Sequence, residues 1–219
     1  MPAETVERPG AEHWVPERPT LAKLEAAAHE CRGCELYRDA TQVVMGSGNA
    51  RARVLLLGEQ PGDREDLAGE PFVGPAGGVL DRALAAAGID RDQVYLTNAV
   101  KHFRWKPAPR GKRRIHQRPG RAHVDACRPW LAAELDVVRP EGVVLLGATA
   151  AQTIYGASFR VTEVRGKRLD WPASIAVQHP PAWVIATLHP SSVLRSEGRA
   201  RAFDDLVAEL NVVAAHLVQ

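Results

Sequence analysis

Four short apolar runs punctuate this chain: Val54–Leu57, Val94–Leu96, Val143–Leu146 and Val184–Leu188. Near-continuous runs of this length suit strands buried on both faces. Between them, residues of helical periodicity fall at Ala76–Ala87, Val124–Val137 and Ala148–Tyr155, and a last helix fits Ala200 to Leu217. An earlier helix is predicted from Leu21 to Cys31, with Leu21, Leu24, Ala27 and Ala28 on one side. Strands alternating with helices predict an α/β fold, three layers α/β/α, around a central, mainly parallel four-stranded sheet. One domain is expected over residues 21–219. Residues 1–20 hold four prolines and little apolar periodicity, which predicts a mobile or loosely docked tail.

The polar ends of the four runs carry the chemistry. They close on Glu59-Gln60, on Asn98, on Gly147-Ala148-Thr149 and on His189-Pro190-Ser191-Ser192. In an open parallel sheet such ends share one edge, where ligands bind, so these distant residues are expected in one pocket. The first run stops at Gly58-Glu59-Gln60-Pro61-Gly62-Asp63, and Pro71-Phe72-Val73-Gly74-Pro75-Ala76-Gly77 follows. The glycines and prolines let the backbone approach a bound group. Glu59, Gln60 and Asp63 supply acceptors and donors, and Phe72 supplies an aromatic face. A flat ligand with polar edges, such as a nucleobase, suits that mixture. One segment breaks the alternation: Pro107, Pro109, Gly111, Pro119 and Gly120 forbid a long helix or central strand between Phe103 and Arg121. A loop this long is usually functional or disordered, and it carries Gly111-Lys112-Arg113-Arg114-Ile115-His116.

Composition adds constraints. With 45% apolar residues in 219, a sizeable core can be buried. No apolar run approaches membrane-spanning length, so the chain reads as cytosolic. A net charge of +2 leaves any attraction to nucleic acid to local clustering, and from Lys101 to Arg121 nine Lys or Arg residues occur without an Asp or Glu. Arg outnumbers Lys by 23 to 5; the guanidinium suits phosphate contact, although GC-rich coding produces the same skew. Cys31-Arg32-Gly33-Cys34 has metal-ligand spacing, with Cys127 far downstream. A metal or iron–sulfur site would need a fourth ligand, for which histidines are the candidates; three unrelated thiols are the other reading. A phosphate-cradling Gly-x-x-x-x-Gly-Lys-Ser/Thr loop is absent from the sequence, which argues against a nucleotide-phosphate enzyme.

The set Gly58-Glu59-Gln60-Pro61-Gly62, Pro71-Phe72-Val73-Gly74-Pro75-Ala76-Gly77, Thr97-Asn98 and His189-Pro190-Ser191 resembles the uracil-DNA glycosylase superfamily, most of all its iron–sulfur branch, family 4. The likeness runs from about Leu21 to Leu217. It implies the uracil-DNA glycosylase-like fold and a [4Fe–4S] cluster. Lys101-His102 stands where the family has Lys-Cys, so His102 would complete Cys31, Cys34 and Cys127; a zinc site would use the same four. By resemblance Phe72 stacks on an extruded uracil, Asn98 reads its polar edge, and His189 donates to a carbonyl oxygen. Gly58, Asp63 and Ser191 would line the substrate. Lys112-Arg113-Arg114-Ile115-His116, together with Gln60 in the motif turn, is similar to the UdgX branch, whose members become covalently fixed to DNA. That likeness implies attack of His116 at C1′ of the sugar, with Glu59 orienting the ring or taking its proton. Lys112, Arg113, Arg114, Ser192 and Arg195 would meet the DNA backbone. The implied partner is uracil-containing DNA, single strands first and duplex second, bound by a monomer. Two other readings stay open: a conventional glycosylase using water, and a non-catalytic nucleic-acid-binding module with a structural metal cluster.

Overall fold

The computed structural model describes residues 8–173 and 175–218. Its elements run α1 (Leu21–Ala28), β1 (Ser47–Gly48), β2 (Val54–Gly58), α2 (Asp63–Ala68), α3 (Pro75–Ala86), β3 (Val94–Asn98), β4 (Trp105–Pro107), β5 (Arg114–His116), α4 (Arg121–Val138), β6 (Gly142–Leu146), α5 (Gly147–Tyr155), α6 (Val161–Val164), β7 (Arg168–Leu169), β8 (Trp183–Thr187), α7 (Pro190–Arg195) and α8 (Arg199–Leu217). The main sheet has the order β1-β3-β2-β6-β8-β7. Its four inner strands are parallel, as the four apolar runs predict. Two antiparallel strands of two residues each flank them, too short to leave a periodicity in the sequence. Short edges of this kind are a common protection against edge-to-edge pairing.

Alternation along the strands builds the two outer layers. Val54, Leu56, Val94, Leu96, Val144 and Ile185 point to one face, where they pack with α3 and α8 through Leu80, Leu84, Leu206 and Leu210. Leu55, Leu57, Tyr95, Val143, Leu145 and Val184 point to the other and meet Leu131, Leu135, Ala151 and Ile154 of α4 and α5. The result is the three-layer α/β/α arrangement. Local chemistry sets the helix starts: Thr20 Oγ1 accepts the Lys23 amide at 3.3 Å before α1, and Pro75 and Pro190 occupy first-turn positions of α3 and α7.

The sheet register aligns Gly58 with Asn98 and Leu146 with Thr187, so the C-terminal ends of the parallel strands form one shelf. Below the β3 end of that shelf lies a buried ion pair. Lys101 Nζ donates to Glu134 Oε2 at 2.6 Å, to Thr97 Oγ1 at 2.7 Å and to the Asn98 carbonyl at 2.9 Å. Glu134 Oε1 also accepts from the Tyr95 hydroxyl and the Gly46 amide. The network fixes the backbone that carries Asn98.

The segment from Phe103 to Arg121 is folded: β4 and β5 form a separate antiparallel hairpin that pairs Trp105 with His116. Part of the expected tail also packs, since the Gly10 and Ala11 amides donate to the Gly33 and Ala126 carbonyls and Ala11 is buried. Residues 1–7 of that tail lie outside the described residues. Among the described residues no helix is long and apolar enough to cross a membrane.

Candidate active site

A cavity of about 580 Å3 opens on the shelf, lined by Glu59, Gln60, Phe72, Asn98, His116, Thr149, His189, Ser191 and Arg195 among others. Residues from all four strand ends thus meet, together with His116 from the base of the hairpin, opposite its turn. The floor is shaped by sterics. A Cβ at Gly58 would lie 2.3 Å from Asn98 Oδ1 and 2.7 Å from Phe72 Cζ, so only glycine leaves both groups in place. Phe72 has φ 60°, a left-handed backbone that a bulky residue rarely adopts. Its carbonyl would sit 1.5 Å from a Cβ at Gly77, so the helix start behind it must also be glycine. Such strain costs on the order of 1–3 kcal/mol and persists where the surroundings hold it, here aiming an aromatic ring at the cavity. Asn98 is buried, and no side-chain hydrogen bond to it is found among the described residues, which leaves its amide for a ligand.

His189 has a defined proton. Its Nδ1 accepts the Ser191 amide at 3.1 Å and lies 2.7 Å from Ser191 Oγ, itself contacted by Arg195 Nη1 at 3.0 Å. Burial above all, then Arg195 and His116, push its pKa down to about 4. The ring is therefore neutral at pH 7, with its proton on Nε2 and Nδ1 as acceptor. It is a hydrogen-bond donor that does not need to be a cation.

Gln60 joins the hairpin to the shelf. Its amide nitrogen contacts the Arg104 carbonyl at 3.2 Å, the Gln117 carbonyl at 3.1 Å and His116 Nε2 at 2.9 Å, while its oxygen accepts the Arg104 amide at 3.2 Å. Both legs of the hairpin are thereby tied to β2. Glu59 Oε1 lies 3.5 Å from His116 Nε2, and Glu59 Oε2 accepts from Thr149 Oγ1. Burial is the largest influence on the His116 ring and lowers its pKa, with Glu59 opposing and Arg195 assisting. The ring is held in its neutral form, with Nε2 between the Gln60 amide and the Glu59 carboxylate.

The basic segment divides in two. Lys112 and Arg113 stand exposed at the hairpin turn. Arg114, expected at DNA phosphate, is turned inward instead: Nε lies 2.5 Å from Asp63 Oδ1 and Nη1 lies 2.5 Å from the fully buried Asp66 Oδ2. Its guanidinium also covers the Phe103 and Trp105 rings at 5.3 and 5.5 Å. Asp63 is correspondingly engaged by Arg114 and does not line the cavity. Ser192 Oγ donates to the His189 carbonyl at 2.7 Å, a bond within the start of α7.

The metal expectation is corrected. Among the described residues no group of three or more His, Cys, Asp or Glu side chains is arranged to hold a metal ion. Cys31, Cys34 and Cys127 are free, buried thiols. Cys31 packs with Leu24 and accepts from Trp130 Nε1 at 3.4 Å. Cys34 and Cys127 share a hydrogen bond within another apolar cluster, beside Leu36 and Val124. His102 is buried, and desolvation first of all lowers its pKa to about 4. The Cys-x-x-Cys spacing thus serves two patches of core, as buried thiols commonly do, and neither the [4Fe–4S] cluster nor the zinc alternative is supported. Sequence reasoning also missed Glu134. Its place four residues after Trp130, on the apolar stripe of α4, was the available signal that a cation must be buried opposite it.

Comparison with known proteins identifies the family. The model of the "Uracil DNA glycosylase superfamily" matches residues 45–211. A type-4 uracil-DNA glycosylase of Thermotoga maritima is 37% identical over 168 residues, covering 76% of this chain and 79% of that protein. The enzyme of the same name from Archaeoglobus fulgidus is 36% identical over 171 residues, covering 75% and 78%. One from Pyrobaculum aerophilum is 33% identical over 180 residues, covering 80% and 85%. The narrower placement in an iron–sulfur, DNA-linking UdgX branch is overturned, because the matches support the type-4 family and the expected cluster ligands are not assembled.

Proposed function

Because the chain belongs to the uracil-DNA glycosylase superfamily, we propose that it removes uracil from DNA by hydrolysing the N-glycosidic bond, with water as nucleophile. The observation that carries this reading is the meeting of the Phe72 ring, the unengaged Asn98 amide and the donor-form His189 in one cavity. A base reaches such a cavity only by leaving the stack, at a cost of a few kcal/mol. Stacking on Phe72 returns roughly 1–3 kcal/mol, and the Asn98 amide supplies paired polar contacts that distinguish one base edge from another. As the C1′–N1 bond breaks, its electron pair passes to the base. His189 Nε2–H stabilises that charge at a carbonyl oxygen, a role for which a neutral, preorganised donor is suited. Glu59, fixed by Thr149, places its carboxylate on the sugar side, where positive charge develops and where an attacking water needs an acceptor for its proton.

A second reading is favoured by one observation: the neutral His116 ring lines the same cavity, 3.5 Å from Glu59. In it the imidazole lone pair forms the bond to C1′ while the electron pair of the broken bond leaves with uracil, which takes up a proton. A uracil-containing single strand incubated with the protein and run on a denaturing gel tests both. Abasic product exceeding the molar amount of protein supports hydrolysis. A shifted band that survives boiling in detergent supports capture by the ring. Intact uracil after prolonged incubation refutes both and leaves a binding module.

A further inference from the structure

We propose that a second cavity beside the first seats the adjacent nucleotide of the same DNA strand, an inference that rests on the uracil reading of the first cavity. This cavity, of about 380 Å3, lies between the start of α4 and the end of α5. Arg118 and Thr149 line both cavities, so the two share a wall and a continuous strand can occupy both. Three guanidiniums, of Arg118, Arg121 and Arg128, face a single carboxylate, Asp125. Asp125 is already contacted by Arg121 Nε at 3.5 Å and Arg128 Nη2 at 2.9 Å. Arg128 Nε is buried and has no hydrogen-bond partner. The Arg128 side chain as a whole is 43% exposed, so the outer N–H groups of its guanidinium are open to a phosphate oxygen.

The remaining wall matches the other half of a nucleotide. Val124 and Ile154 are buried and apolar, and the Tyr155 ring is stacked on Phe159 with centroids 4.5 Å apart. Cations on one side and an apolar, aromatic surface on the other select a nucleoside phosphate over a purely apolar ligand or a bare anion. A free nucleotide has the same chemistry. The shared wall with the first cavity favours the strand, because a base flipped into one cavity brings its neighbour's phosphate to the rim of the other.

The test uses the full chain and three oligonucleotides, with uracil at the 5′ end, at the 3′ end or in the middle. Binding is followed by anisotropy and excision by single-turnover assay. The wild type should favour strands extended on one side of the uracil. The Arg121→Gln/Arg128→Gln variant should lose that preference, weakening binding of those strands about tenfold and reducing the salt slope by about 0.7 for each phosphate it no longer neutralises. Its excision from the strand lacking that side should stay at the wild-type rate. Ala157→Glu, an exposed change on the cavity wall, should act in the same direction and covers misfolding of the double variant. Unchanged affinity and salt slope in both variants, with normal excision, would overturn the proposal alone. Competition by dTMP that the double variant abolishes, without dependence on strand length, would assign the cavity to free nucleotides and also overturn it. Absence of excision by the wild type from every strand would sink the uracil reading itself.

Discussion

Arg114→Ala tests whether the hairpin is held over the cavity by the carboxylates beneath it. Two ion pairs disappear in this variant, and they differ in weight. Asp63 is half exposed, so its pair contributes no more than about 1 kcal/mol. The Asp66 side chain is 0% exposed and, among the described residues, keeps the Thr41 amide alone, at 3.0 and 3.1 Å, once the guanidinium is gone. Removing one partner of a buried pair costs about 3–5 kcal/mol, because the remaining charge stays desolvated. Arg114 itself is 15% exposed, which lets water approach and places the expected loss near 3 kcal/mol. For a chain of this size that lowers Tm by about 6–12 °C if the loss is global. If the hairpin undocks instead, water reaches Asp66 and the global loss shrinks, but hydrogen exchange at β4 and β5 must accelerate by the same free energy. Arg114→Lys should fail to restore the wild type, since one ammonium cannot serve two carboxylates and cover two aromatic rings. Combining Arg114→Ala with Asp66→Asn should recover much of the loss, as the lone buried charge is then absent. A Tm within about 1 °C of wild type, together with unchanged exchange in the hairpin, would refute the clasp.

Three further outcomes follow from the geometry. Gly58→Ala should fold but lose at least tenfold in excision, because its methyl displaces Asn98 Oδ1 or Phe72; wild-type kinetics would contradict the packing argument. Glu134→Gln leaves the buried Lys101 without its counter-charge and should cost about 3–5 kcal/mol in urea unfolding; a loss under about 1 kcal/mol would count against the network. The pH dependence has a definite sign: His102 and His189 have folded pKa values near 4, below the ordinary 6.5. Between those limits the unfolded chain binds more protons, so the stability present above pH 6.5 falls as pH drops towards 4, by about 1 kcal/mol per unit for each histidine. Urea midpoints that are flat from pH 7 to 5 would show that these rings are not held neutral.

The strand and helix runs were legible because burial on both faces leaves β2, β6 and β8 apolar apart from the closing Thr187, and because helices between parallel strands have their own period. The shelf followed from topology alone: Glu59, Asn98, Thr149 and His189 end successive strands, and parallel pairing forces them together. What could not be read was direction. Arg114 and Arg113 are adjacent and identical in type, yet one is turned inward onto the buried Asp66 and the other is exposed, a difference set by the hairpin's pleat and by carboxylates some fifty residues away. Cys31 and Cys34 have ligand spacing, but spacing says nothing about where a third thiol lies or which way it points. The left-handed backbone of Phe72 was equally hidden, since the conformation is imposed by the close approach of Gly77 rather than by any preference of phenylalanine.

The site therefore has parts of unequal rigidity. Asn98 and His189 sit at strand ends and Phe72 in the loop between α2 and α3, fixed by a buried ion pair, a cap on α7 and a strained backbone, so this half of the cavity is formed before any ligand arrives. His116 belongs to a two-stranded hairpin, and an isolated hairpin is marginal by itself. Its position depends on Gln60 and on the Arg114 clasp. On the proposed function, a rigid pocket under a docked hairpin means that recognition of the base and the fate of the sugar are governed by different residues. Variants that loosen the hairpin should alter what attacks C1′ while leaving the choice of base intact, whereas variants of the shelf should do the reverse.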